Sequence, residues 1–396
     1  MKAIPTASDS RAWASIDLSA LQANFEKARA YHPDARMVAI VKANAYGHGV
    51  IPVATALQAR MREGDCFGVA CLEEALELRQ AGFLQSILLI EGVVDAQQLD
   101  IAMSQGCMLV VHTLEQAQLM QAYWHAHPDA PAVTLWLKID TGMHRLGLSP
   151  EEFVALWRQW HGHPRVRELI PMTHFACADD RNSDMTHRQL ALLEQTLARA
   201  GITPGQQAIS AAASSGIQLW PESQYQWLRP GIMLYGGTAV AGENAIDRGI
   251  APVMTLHARV IAIKNVAAGE TVGYGASYVC EHERRIGVIS IGYGDGYPRR
   301  MPTGTPVLLR VRTGGGLQTV RVPLCGRVSM DMCTVDLSAC PEAQRGDEVI
   351  LWGEGLPADE IARCAGTLAY ELFCQVTPRV RFLYREVQEP DAAWPK

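Results

Sequence analysis

No stretch of this 396-residue chain is apolar and uncharged for long enough to cross a bilayer, which takes about 20 residues of helix. Charge is also sparse: 19% of residues are charged and the formal net charge is −6, without a basic stripe. That excludes the electrostatic footprint of a nucleic-acid binder. The ten cysteines include no Cys-x-x-Cys pair, so the usual spacing of a zinc site is missing. They lie in apolar stretches such as Asp65-Cys66-Phe67-Gly68-Val69-Ala70-Cys71 and read as buried, reduced thiols. Met1 to Ala14 lacks the apolar core and small-residue cleavage site of a secretory signal, so a cytoplasmic location is expected. No Gly-x-Gly-x-x-Gly follows the first strand, and no Walker motif, internal repeat or low-complexity tract occurs. His161 and His163 have no third ligand nearby, so no metal site is expected and the pair reads as loop. A small-molecule substrate is the class that remains.

What is present is a large apolar fraction, 48%, on a chain long enough for two domains. A short strand is expected around Trp13 to Ile16, then a helix opened by the capping-box spacing of Ser19-Ala20-Leu21-Gln22. Eight strand-like runs follow, near Met37–Val41, Cys66–Ala70, Ile87–Ile90, Met108–Val111, Val133–Ile139, Leu169–Phe175, Gln207–Ala211 and Gly231–Tyr235. Helical patterns such as Leu72–Gln80, Glu151–Trp160 and Thr186–Ala200 separate them and end in Gly82, Gly162 and Gly201. Eight alternating units predict an α/β fold, a parallel (β/α)8 TIM-type barrel. Beyond about residue 248 short strands dominate, including Met254–Ile263, Arg285–Ile291, Val307–Val311, Thr319–Val322 and Glu348–Trp352, with Thr313-Gly314-Gly315-Gly316 as a hairpin turn. The expected division is a strand segment over 1–16 packing with the second domain, a barrel over 17–247 and an all-β C-terminal domain over 248–396.

Chemistry concentrates at Val38-Ala39-Ile40-Val41-Lys42-Ala43-Asn44-Ala45-Tyr46-Gly47-His48-Gly49, where a lysine closes an apolar strand and a glycine-punctuated loop begins. Barrel enzymes place reactive groups at such strand ends. Desolvation there would favour a neutral amine suited to Schiff-base chemistry, while snorkelling from the strand end would account for the position equally well.

The Lys42 segment resembles the cofactor-lysine signature of the alanine racemases, the pyridoxal-phosphate enzymes of fold type III, and the pattern is that of proteobacterial biosynthetic members. Matching blocks run from about Arg11 to Tyr384 and include Leu137-Lys138-Ile139-Asp140-Thr141-Gly142-Met143-His144-Arg145-Leu146-Gly147 and Trp227-Leu228-Arg229-Pro230-Gly231-Ile232. Val272-Gly273-Tyr274-Gly275, Gly292-Tyr293-Gly294-Asp295-Gly296-Tyr297-Pro298-Arg299 and Gly326-Arg327-Val328-Ser329-Met330-Asp331-Met332 continue it.

By that resemblance Lys42 carries pyridoxal 5'-phosphate and is the base on the D-alanine side, with Tyr274 the opposite base for L-alanine. Exchange of a proton between two faces of a planar carbanion requires such a pair. His174 and Arg229 match residues that sustain the tyrosine's basicity, and Arg229 also faces the cofactor's pyridine nitrogen, where it can donate a hydrogen bond but hardly a proton. The phosphate falls to Tyr46, Ser214, Gly231, Ile232 and Tyr370. Many relatives have Asn-Ser where this chain has Ala213-Ser214, so one side-chain contact is absent. Arg145 matches the residue that holds the cofactor's phenolic oxygen and the substrate carboxylate, and Lys138 a lysine that relatives carbamylate to position that arginine. Met330 and Asp331 match the substrate-site segment, and Asp179, Tyr293, Arg299 and Arg327 resemble residues along an entrance corridor.

The resemblance further implies a head-to-tail homodimer acting on L- and D-alanine, with D-alanine destined for peptidoglycan. Three readings stand beside it, one of them a fold-type III decarboxylase of basic amino acids, which lacks this spacing of Lys42, Arg145, Arg229 and Tyr274. A broader amino-acid racemase would share the motifs, whereas a non-catalytic cofactor-binding protein would be a single barrel ending before any counterpart of Tyr274.

Overall fold

The computed structural model describes residues 10–385. It resolves into two compact units, one of Asn24–Leu234 with Ala239–Gly242, the other of the described residues up to Ala23, Tyr235–Thr238 and those from Glu243 onward. Among the described residues no helix is long and apolar enough to cross a membrane.

The first strand, β1 (Ala12–Asp17), passes directly into the helix Leu18–Ala30. Asp17 Oδ1 accepts the Ala20 amide at 2.9 Å, so the cap is Asp17, two residues before the expected Ser19. The reason is that strand pairing persists through Asp17 and leaves it extended at the helix start, where a carboxylate satisfies orphan amides well.

The first unit is built on β2 (Arg36–Ile40), β3 (Cys66–Val69), β4 (Ser86–Leu89), β5 (Met108–Val111), β6 (Val133–Lys138), β7 (Val166–Met172) and β8 (Trp227–Leu228). They form a seven-stranded sheet in the order β7-β6-β5-β4-β3-β2-β8, and each pairing is parallel. Apolar runs buried on both faces are what such a sheet requires. Residues 209–213 take the eighth place. Thr173 donates its amide to Ser210 O at 3.0 Å on one side, and Trp227 and Arg229 donate theirs to Ile209 O and Ala212 O at 3.1 and 3.0 Å on the other. Small residues bridge β7 and β8 there with too few paired positions to count as a strand, yet they close the (β/α)8 ring.

Two expected strands therefore need correction. Gln207–Ala211 is reduced to these isolated bridges. Gly231–Tyr235 is no strand; the final strand lies earlier, at Trp227–Leu228, and Ile232–Leu234 forms a 3-10 turn. Its apolar run reflects complete burial rather than pairing, since Ile232, Met233 and Leu234 are all 0% exposed. The helices Leu72–Gln80, Pro150–Trp160 and Met185–Arg199 agree with their sequence patterns, and Gly82, Gly162 and Gly201 follow them with φ of +89°, +76° and +75°. At the N-terminal ends of the strands Arg36 stacks 4.3 Å over the Trp227 ring and pairs with Glu168 at 2.6 Å. This leaves the opposite, C-terminal ends for chemistry.

The second unit is strand-rich: β9 (Met254–Val266), β10 (Thr271–Val272), β11 (Tyr278–Val279), β12 (Arg284–Ile289), β13 (Pro306–Thr313), β14 (Gly316–Pro323), β15 (Cys333–Asp336), β16 (Glu348–Trp352) and β17 (Arg381–Arg385). Long β9 serves two neighbourhoods, pairing β1 and β16 through its first half and β12 through its second. β1 lies between β9 and β17 in this sheet. The hairpin joining β13 to β14 closes at Thr313 and Gly316, where the sequence placed it. β10 and β11 form a separate two-stranded ribbon.

Candidate active site

Lys42 follows β2 by two residues, and the chain then does something L-residues avoid. Ala43, Asn44, Ala45 and Tyr46 all have φ of +52° or +53°, one complete left-handed turn. Each such residue costs roughly 1–2 kcal/mol, because Cβ crowds the following carbonyl, so the turn must be held from outside. Ala45 donates to Val41 O at 2.8 Å, Gly47 to Ala43 O at 2.9 Å and Gly49 to Asn44 O at 3.0 Å. The Asn44 side chain accepts the Val50 amide at 2.7 Å and so starts the helix Val50–Gln58. His48 is fully buried and donates from Nδ1 to Tyr46 O at 2.9 Å. Burial lowers its pKa to about 4, so it stays neutral. The outcome is that Lys42 and the Tyr46 side chain leave one rigid turn in fixed directions.

Arg229 follows β8 by one residue and is buried, at 3% exposure. Its guanidinium donates to Ser210 Oγ at 2.5 Å, Thr173 O at 2.7 Å and Ala211 O at 3.0 Å. Burial lowers its pKa to about 9, which still leaves it charged at neutral pH. His174 Nδ1 lies 3.4 Å from Arg229 Nη2. Desolvation, reinforced by Arg229, Lys138, Arg145 and Lys42, holds His174 well below its usual range. Four basic side chains therefore surround one neutral imidazole at the C-terminal mouth of the barrel.

The loop after β6 explains its own motif. Asp140 Oδ1 accepts the amides of Gly142 and His144 at 2.9 and 3.0 Å, folding the chain over so that exposed Arg145 follows. Gly147 permits the return: a Cβ there would stand 2.4 Å from the Asp140 amide nitrogen. Lys138 is buried at the end of β6, and burial, then Arg229 and Arg145, lowers its pKa to about 7.

Across the mouth, Ser214 Oγ accepts the Gly231 amide at 2.9 Å and the Met233 amide at 3.4 Å. A Cβ on Gly231 would stand 2.6 Å from Tyr46 Oη, so glycine is what lets that hydroxyl approach the backbone. Ala213 supplies no side-chain cap to the short helix Ser214–Leu219. A lysine at a strand end, two hydroxyls against backbone amides and an excess of positive charge form a donor set that fits a carbonyl-bearing phosphate ester.

The remaining residues named from sequence lie elsewhere. Asp179 is exposed in the barrel unit after β7. In the strand-rich unit Tyr274, 66% exposed, stands on the turn between β10 and β11, where Gly273, Gly275 and Ala276 have positive φ. A Cβ on Gly275 would stand 2.8 Å from Arg327 Nη1, so that guanidinium lies against the tyrosine's turn. Arg327 and Arg299 line one open hollow of about 410 Å³ with Ser277, Arg300 and Thr303. Tyr293 and exposed Met330 are brought together by backbone bonds, Tyr293 N to Ser329 O at 3.0 Å and Gly294 N to Met330 O at 2.8 Å. Asp331 accepts from Arg379 at 2.5 Å. Tyr370 lies on the helix Ala369–Gln375. His161 and His163 stack on Trp157 and Trp124 at 5.0 and 4.8 Å.

Sequence reasoning missed the supports of this site. Fully buried Gln189 donates to Thr141 Oγ1 at 3.1 Å and His174 O at 3.0 Å and accepts the Ala176 amide at 2.8 Å. Thr141 and Thr173 hydroxyls meet at 2.8 Å, and Ser210 joins them through Arg229. Helix amphipathicity marks Gln189 only as a polar residue out of place, a weak signal for a network of this kind.

Family models for the alanine racemase N-terminal and C-terminal domains match residues 16–239 and 253–384. The chain is 44% identical over 376 residues to an alanine racemase of Vibrio vulnificus, covering 95% of this chain and 99% of that one. It is 46% identical over 371 residues to the biosynthetic alanine racemase of Pseudomonas aeruginosa, covering 93% and 97%. The crystal structure of the biosynthetic alanine racemase from Pseudomonas aeruginosa superposes with a TM-score of 0.86 at 44% identity, over 95% of this chain and 100% of that chain. The alanine racemase of Bartonella henselae, solved with covalently bound pyridoxal phosphate, superposes with a TM-score of 0.82 at 28% identity over 95% and 100%. With a barrel whose C-terminal mouth carries the lysine, the arginines and the histidine, and with both family models matched in order, this chain belongs to the alanine racemase family.

Proposed function

We propose that the chain interconverts L- and D-alanine through two bases, Lys42 Nζ and Tyr274 Oη, contributed by two copies of the chain in a head-to-tail homodimer. The observation that carries the reading is the neutral His174 set among Lys42, Lys138, Arg145 and Arg229. Pyridoxal phosphate, when bound, supplies the electron sink that makes the α-proton of an amino acid removable.

The chain's own groups do the rest. Lys42 Nζ exchanges the proton on the D-face and Tyr274 Oη on the L-face. An arginine only donates, so His174 accepts from Arg229 at Nδ1 and keeps its proton on Nε2, where it can donate to a phenolate. That bond favours the ionised tyrosine, the form a base needs. Arg145 suits the substrate carboxylate as a fork-shaped donor, and a carbamylated Lys138 would present it with an anion. Tyr46, Ser214, Gly231, Ile232 and Tyr370 are assigned the phosphate, and Met330 with Asp331 the substrate. Arg299, Arg327, Tyr293 and Asp179 are assigned the approach, where charge attracts a zwitterion.

Exposure of Tyr274, Val279, Met330 and Met332 in one unit supports coverage by a second copy. Ten free cysteines support a reducing, cytoplasmic compartment, and D-alanine for peptidoglycan is the proposed use. The test is incubation of holoenzyme with L-alanine, D-alanine and then L-serine in deuterated water. Inversion of alanine with uptake of solvent deuterium at the α-carbon is expected. Comparable turnover of serine would replace the reading with a broader racemase, and exchange without inversion would overturn two-base chemistry.

A further inference from the structure

The left-handed turn after Lys42 has one restraint that comes from a different helix. Glu74, in the first turn of the helix Leu72–Gln80, accepts the Ala43 amide at Oε1 and the Ala70 amide at Oε2, both at 2.7 Å. Ala43 is the residue directly after Lys42 and the first of the four with positive φ. Ala70 directly follows β3, the neighbour of β2 in the sheet. A single carboxylate thus fastens the end of one strand to the strained turn on the next. Each of its oxygens takes one amide, which an uncharged or shorter side chain cannot reproduce.

We infer that Glu74 is a positioning residue for Lys42: its two-amide clamp holds the left-handed turn from which the lysine projects, and without it the turn relaxes and the lysine leaves its working direction. The inference rests on Lys42 being the cofactor lysine. A bland alternative exists, because a glutamate three residues after an N-cap often serves only its own helix, as the Ala70 bond would by itself. The Ala43 bond separates the two, since a helix cap has no need of it.

The decisive comparison uses full-length holoenzyme carrying Glu74→Gln, Glu74→Asp, Ala43→Gly and the double variant Glu74→Gln with Ala43→Gly. Three quantities are read: retention of cofactor absorbance on dialysis, kcat against KM for alanine, and hydrogen exchange of the peptide spanning residues 42–49. Glu74→Gln puts an amide NH2 against one of the two donors. It is expected to lose about tenfold in cofactor retention and in kcat, with KM nearly unchanged and faster exchange across 42–49. Glu74→Asp, too short to reach both amides, should lie between it and the unmodified protein and covers the case in which the glutamine variant fails to fold. Glycine at 43 carries no left-handed penalty, so the double variant should recover at least threefold of the loss. Cofactor retention within twofold of the unmodified protein in both Glu74 variants, with unchanged exchange, would overturn the inference. So would an Ala43→Gly change that deepens the loss. Lys42→Ala serves as the control: if it keeps the lysine-linked absorbance, the cofactor assignment itself has failed, whatever Glu74 does.

Discussion

His174 Nδ1 lies 3.4 Å from Nη2 of Arg229, and of the two groups only the imidazole can accept. The ring is therefore neutral with its proton on Nε2, in agreement with the strong lowering of its pKa by burial and by Arg229, Lys138, Arg145 and Lys42. Labelled-histidine NMR should show this ring still unprotonated well below the ordinary histidine value near 6.5. A His174 resonance titrating between about 6 and 7 would contradict the arrangement.

Lys138 gives a pH dependence of the same sign in a higher pH window. Burial, then Arg229 and Arg145, lowers it to about 7 in the folded chain, whereas the unfolded chain keeps its proton to about 10.4. The unfolded state then binds more protons between those values, so stability at this site rises with pH from about 7 upward. Compared with Lys138→Met, the unmodified protein should gain urea resistance from about pH 7 to about pH 9, and bicarbonate should add to it by carbamylating the neutral amine. A difference that stays flat with pH and ignores bicarbonate would show the lysine to be charged throughout.

Gly231→Ala tests the phosphate end. The new Cβ would stand 2.6 Å from Tyr46 Oη and displace that hydroxyl. Cofactor affinity should fall roughly tenfold, about 1.4 kcal/mol, as measured by absorbance after dialysis. Unchanged affinity would remove Tyr46 from the cradle.

Much of this fold is written in the chain in a readable way. Runs such as Val38–Val41 and Leu135–Leu137 are buried on both sides and carry the mark of parallel strands. Lys42 follows from the rule that chemistry sits at the strands' C-terminal ends, whereas Lys138, His174 and Arg229 are legible only through the family resemblance. Legibility stops where tertiary contacts override local preference. Nothing in Ala43-Asn44-Ala45-Tyr46 announces a left-handed turn, because none is glycine, and Glu74 looks like any glutamate opening a helix. Ser210-Ala211-Ala212-Ala213 closes the barrel with little β propensity, because its amides and carbonyls find partners on both sides.

In the strand-rich unit Asp295, 0% exposed, holds Arg11 at 2.7 Å and Arg379 at 3.4 Å. Arg11 also donates to Asp331 O at 2.6 Å and Arg379 to Asp331 Oδ1 at 2.5 Å, so one carboxylate anchors the segment assigned to substrate. Asp295→Asn should cost about 1–3 kcal/mol, less than a fully buried pair because both arginines are partly exposed. KM for alanine should rise while cofactor content stays constant. A loss of cofactor with KM unchanged would place the effect elsewhere.

The central claim is that one racemization site needs Lys42 from one copy and Tyr274 from another. Lys42→Ala and Tyr274→Phe chains with different tags can be co-expressed and the mixed dimer isolated through both tags. Each parent homodimer should be inactive, and the mixed dimer, with one intact site in two, should regain about half of full activity. A mixed dimer as inactive as its parents would contradict the account.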